Sequence, residues 1–203
     1  PSGYVFTPIA YLGNAAPGGG TFVNDFEPGG LNNRGDMAFG ADVSSGGEGV
    51  FLGRAGGIVQ LGRTGGPAPG GGVFEFGFLG PVALNDEGDV AFDFLLQDFA
   101  PPFGVNAGVY RYSHRTQAVT PVMVPFVTPA PGAGLFQGAG FNPSINNRED
   151  IVFPGIIVTD KGVHPVPDTG EPYIGLGVGV YRADKHGTIS SVVVPGDAAP
   201  GGG

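Results

Sequence analysis

The chain has 203 residues, with nine Lys/Arg against 18 Asp/Glu and a net charge of −9. So few scattered cations cannot build the basic surface that nucleic acid requires, the absence of cysteine removes disulfides and thiolate metal sites, and no apolar run approaches the ~20 residues of a membrane span. Its 41 Gly and 20 Pro cluster between apolar stretches, and 16 Phe with six Tyr supply core material, so a folded, turn-rich β protein is expected rather than a disordered chain. A start at Pro1 is what a mature product with its signal peptide removed would show.

In chain order, residues 4–12 form a first β-rich run, followed by the phrase Ala16-Pro-Gly-Gly-Gly20. Next comes Leu31-Asn-Asn-Arg-Gly-Asp-Met-Ala-Phe39, which returns as Leu84-Asn-Asp-Glu-Gly-Asp-Val-Ala-Phe92 and as Ile145-Asn-Asn-Arg-Glu-Asp-Ile-Val-Phe153. The Ala-Pro-Gly phrase keeps step at 68–72, 130–134 and 199–203. Self-similarity at a period of roughly 50–70 residues marks a modular array.

Within the first module the spacing predicts strands at 30–31, 37–39, 50–52 and 58–61. In the second they fall at 82–84, 89–96, 108–112 and 117–123, and in the third at 144–145, 151–153, 178–181 and 189–194. Asn and Gly in each repeated phrase favour a tight turn between the first two strands, because Asn bonds its own main chain and Gly accepts a positive φ. Pro121 predicts an edge position for the fourth strand of its module. Four antiparallel strands joined by turns and followed by a Pro-Gly link describe a propeller blade. The expected fold is therefore all-β: a propeller-like array of three four-stranded antiparallel modules plus an extra N-terminal strand.

The predicted organisation is an extra strand over 1–15, repeats over 16–67, 68–129 and 130–198, and a link at 199–203. Thr7-Pro-Ile matches Thr120-Pro-Val, so residues 4–12 read as a fourth copy of the last strand without a module of its own. Such a strand is a natural donor to a neighbour's sheet, and contacts of that kind repeated in one direction would be head-to-tail. Tyr4, Phe6, Ile9 and Tyr11 are the candidate assembly residues.

These repeats resemble the bacterial secreted tandem-repeat proteins of the choice-of-anchor type, defined by the pattern Asn-x-x-Gly-x-x-x-Phe. Asn32, Gly35 and Phe39 fit it, as do Asn85, Gly88 and Phe92; the third copy keeps Asn146 and Phe153 but has Glu149 in the glycine position. The resemblance implies an exported, extracellular or cell-surface, propeller-like protein and supplies no catalytic residues.

Candidate chemistry beyond the repeat is sparse. Arg34-Gly-Asp36 spells an adhesion tripeptide, but the sister turns read Glu-Gly-Asp and Arg-Glu-Asp, which points to module drift. Asp86 and Asp89 are weak Ca²⁺ candidates, since they offer oxygen ligands without the spacing of an EF-hand loop; no other cofactor is implied. The loops between the second and third strands differ in length and carry Phe99, Phe103, His164 and Tyr173. Insertions on one face of an array often form its binding face, so these residues are candidates for a glycan, a protein or another subunit. The expected function is non-enzymatic: an exported structural repeat protein in a filament or matrix built by strand exchange or head-to-tail contacts. The alternative is a glycan- or protein-binding module that uses the long loops.

Overall fold

The computed structural model describes residues 7–75, 81–97, 106–159 and 175–198. Strands are the only regular elements among these residues. The first antiparallel sheet has the order β1 (Phe22–Leu31), β2 (Met37–Val43), β3 (Glu48–Arg54) and β4 (Gly57–Arg63). The second runs β5 (Ala83–Leu84), β6 (Val90–Leu95), β7 (Ala107–Ser113) and β8 (Ala118–Met123). β8 lies at the sheet edge, where Pro121 removes no ladder donor that a further strand would need. In the third sheet β9 (Gly138–Ala139) pairs with β11 (Ile151–Thr159), beside the path β10 (Ser144–Ile145), β11, β12 (Gly175–Ala183) and β13 (Ile189–Val193).

Two expectations need correction. The third sheet has five strands rather than four, because Gly138 and Ala139 add to the free length of β11. The extra N-terminal strand is not formed by residues 7–12, and residues 1–6 lie outside the described residues. Pro8 lacks a ladder donor, and the Asn14 side chain and amide close a turn on Tyr11. The first sheet meanwhile takes its four strands from later in the chain.

Each repeated phrase folds into the same turn for a local reason. The Asn32 Oδ1 accepts the Arg34 and Asp36 amides, at 3.0 and 2.9 Å, and Asn146 does the same with Arg148 and Asp150. Asn85 holds the Asp89 amide at 2.8 Å. The fourth residue of each turn is left-handed: Gly35 at φ 79°, Gly88 at φ 88° and Glu149 at φ 65°. Glu149 thus keeps the geometry despite its side chain, a strained state worth ~1 kcal/mol in L-residues. Its ion pair with Arg111 is partly buried but long, at 3.5 Å, and returns only part of that. Glu149→Gly is expected to raise stability by about 0.5–1 kcal/mol, which urea denaturation would read; a loss would show that the Arg111 contact outweighs the strain.

Core packing repeats as closely as the turns. Phe39 stacks on Phe51 at 5.6 Å and 28°, Phe92 on Tyr110 at 5.6 Å and 29°, and Phe153 on Tyr181 at 6.0 Å and 28°. A third ring stands edge-on to each pair: Phe22, Phe74 and Phe136, at 5.0, 5.0 and 4.7 Å. Such ring pairs add about 0.5–1.5 kcal/mol each beyond their area burial. The third ring follows each of the first three Ala-Pro-Gly phrases, whose alanine (Ala16, Ala68, Ala130) is itself buried.

Because strand side chains alternate, every sheet has two unlike faces. The aromatic rings occupy one face of each module, and small aliphatic residues occupy the other. Ala38, Val50 and Leu52 of the first sheet share a core with Phe92, Phe94 and Tyr110 of the second. Ala91, Val109 and Met123 of the second share a core with Phe136, Phe153 and Tyr181 of the third. The two junctions are thus alike in kind: an aliphatic face meets the aromatic face of the next module.

Candidate functional site

The three repeated turns meet one another as well as closing their own hairpins. Asn32 Nδ2 donates to Asp36 within its turn and also to the Asn85 carbonyl oxygen, at 3.2 Å. Asn85 Nδ2 donates to Asp89 and then to the Asn146 carbonyl oxygen, at 3.1 Å. The ladder has a direction, since each asparagine donates forward to the next module. Asp86 reinforces it from the middle. Its carboxylate accepts the Asn33 side-chain amide at 2.8 Å and that of Asn147 at 2.9 Å, while its own amide donates to Asn147 Oδ1. Hydrogen bonds from Asn147 and Asn33 hold the Asp86 carboxyl below the usual carboxylate range.

These contacts define what Asp86 and Asp89 do here. Each carboxylate oxygen of Asp86 takes an amide from a flanking module. Asp89 takes the Asn85 side chain on one oxygen and the His114 amide on the other. Among the described residues, no group of three or more His, Asp or Glu is arranged to hold a metal ion. Arg34 and Asp36 pair with each other at 3.2 Å across the Gly35 turn, so the adhesion tripeptide is folded into the same ladder.

Of the other candidates, Ile9 packs on the aromatic face of the first module with Ala10, against a cluster of Phe22, Phe39 and Phe51. Tyr11 is 59% exposed. Tyr4, Phe6, Phe99, Phe103, His164 and Tyr173 lie outside the described residues. A polar cavity of about 360 Å³ opens at the turn end between the second and third modules, lined by Glu87, Ser113, His114, Arg115 and Glu149 among others.

Three features escaped the reading of the residues. The forward amide bond of each asparagine is one, and the third aromatic ring is another, although a phenylalanine six residues after each link alanine was a usable signal. The remaining one is Asp93, which is buried and has one carboxylate oxygen without a partner among the described residues. It lies on the aliphatic face of the second module, and Asn142 at the entrance to the third bonds it through its backbone. Burial pushes its carboxyl from 3.8 up to about 6, which these bonds only partly offset.

A family model described as a family of unknown function, DUF7453, matches residues 3–203. The chain belongs to that family. No curated protein and no solved structure matches it. The match spans all three modules, so the turn ladder, the two junctions and Asp93 all lie within the DUF7453 region.

The Asp93 shift has a measurable consequence. A carboxyl whose folded pKa is raised adds stability below its unfolded value, and that stability is lost as pH rises through the folded value. The window here is about pH 4 to 6. Asp93→Asn keeps an acceptor for the backbone amide and removes the ionisation. We expect it to gain roughly 2–3 kcal/mol at pH 7 and nothing near pH 4. Denaturant melts of both chains at the two pH values check this; equal gains at both would show that packing, and not ionisation, changed.

Proposed function

We propose that this protein is a non-enzymatic structural subunit, exported to the cell surface or beyond it, and that its modules are propeller-like blades which assemble with other copies. The observation that carries this reading is how the repeated residues are used. Every position of the nine-residue phrase that recurs in all three modules closes a turn, ties one turn to the next or packs an aromatic core. Residues that recur for construction leave the phrase without a reacting group. Antiparallel sheets of four or five strands that share cores with their neighbours, with β1 against β5 and β5 against β10, support the blade reading. The surface or extracellular setting follows from the resemblance of the repeat pattern.

The experiment is to purify the chain and follow its mass by light scattering over a wide dilution series, with negative-stain images of the largest species. Concentration-dependent assemblies are expected. A strictly monomeric particle at every concentration would sink the assembly reading, and recovery of the native protein only from the cytoplasm would sink the export reading.

A further inference from the structure

The two internal junctions act as a template for what the outer modules leave open. At the position of Ala38 and Ala91, both fully buried, the third module carries Val152, which is 38% exposed. At the position of Met123, also fully buried, it carries Val193, which is 46% exposed. Val158 and Val178 continue this patch at 42% and 62%. Ile156 pairs with Val178 across the two central strands, on the same face. The first two modules bury this face under the next module's rings; the third has nothing over it among the described residues.

The opposite end shows the complementary half. The first module's Phe22, Phe39 and Phe51 form the aromatic face that the other two modules press against a preceding sheet. Among the described residues no sheet lies against them. Ile9 and Ala10 cross the face as a narrow strap, and Gly53 lies so close beneath Ile9 that a Cβ there would displace the Ile9 side chain. Among the described residues no hydrogen bond ties 7–10 to the sheet. An apolar groove of about 450 Å³ runs beside the strap, lined by Phe26, Pro28, Met37 and Phe39.

From these two faces we infer a specific interface, which rests on the assembly reading above. The aliphatic face of the third module docks on the aromatic face of the first module of a second copy. The strap shifts toward or out of the groove as it does so. The ladder selects the same partner and direction. Asn32 and Asn85 each donate Nδ2 forward to the next turn's asparagine carbonyl, whereas Asn146 Nδ2 donates only to Asp150 among the described residues. The matching acceptor on a second copy is the Asn32 carbonyl oxygen. A contact between two copies of the third module's face would bury the valines but would give Asn146 no such carbonyl, so the union is head-to-tail.

A complementation experiment tests this. One variant, Val158→Lys with Val178→Lys, disables the aliphatic face; both residues are exposed, so the fold should survive. The other, Met37→Lys, disables the groove, and a thermal melt confirms that it folds. Each variant alone should lose association by at least roughly tenfold, while an equimolar mixture should form a one-to-one heterodimer, because each supplies the face the other lacks. Unimpaired association of Met37→Lys, with the valine variant inert even in the mixture, would overturn the inference in favour of a symmetric contact. Association of the native chain that neither variant alters would overturn it too, yet leave the assembly reading standing. A native chain that never associates would overturn both.

Discussion

Replacing Asn85 with alanine is expected to lower stability by about 3 kcal/mol, the largest single effect in the turn ladder. The side chain is buried and makes three hydrogen bonds: its oxygen takes the Asp89 amide, and its nitrogen reaches Asp89 and the Asn146 carbonyl. Alanine leaves the Asp89 amide and one carboxylate oxygen without these partners, in a buried setting. Each stranded group costs on the order of 1–3 kcal/mol. Asn146→Ala is the internal comparison. It loses the Arg148 and Asp150 amides and the Asp150 carboxylate but no forward bond, and its turn is more open, so about half the effect is expected. Urea denaturation of both variants decides the point, and an equal loss in each would show that the bonds between modules contribute nothing measurable.

Gly29→Ala is expected to cost about 3 kcal/mol or more by a different route. A Cβ at Gly29 would lie 2.8 Å from the Val82 nitrogen and 2.9 Å from the Ala38 carbonyl oxygen, and closer still to the Val82 carbonyl oxygen. These are backbone atoms on both sides of the junction between the first two modules, so no rotamer change relieves the contact. Overpacking a well-filled interface costs typically 1–3 kcal/mol when side chains can yield, and here the main chains must part. The neighbouring Gly30 donates its amide to Val82 at 2.7 Å, and that bond should weaken with the shift. Hydrogen exchange should therefore accelerate at Gly30 and around β5 while β12 and β13 stay protected. Unchanged exchange and an unchanged melt would mean the junction has slack.

Much of the local structure was legible because its causes are local. Asn85 bonds its own turn and Gly88 accepts a positive φ whatever surrounds them, so the hairpins could be read from the repeated phrase. The same holds for Pro121 at its sheet edge. The stacking of turns was not legible, since the Asn85-to-Asn146 bond joins residues 61 positions apart and exists only once the sheets lie face to face. Residues 7–12 misled for a related reason. Their Thr-Pro-Ile likeness to β8 is real, but strand formation needs an edge to pair with, and Ile9 instead covers rings that no other module covers among the described residues. Asp93 carries no local signal of burial, since only the third module packing over it makes it a buried acid.

The unlike faces of the sheets also bear on how such a chain can change length. Each module enters with rings and leaves with small aliphatic residues, so its two sides fit any neighbour built to the same rule. Removing residues 68–129 would bring Ala38, Val50 and Leu52 against Phe153 and Tyr181, the same chemistry as either present seam, and duplicating that segment would create one more. Unequal recombination could then add or remove a module without inventing a new interface.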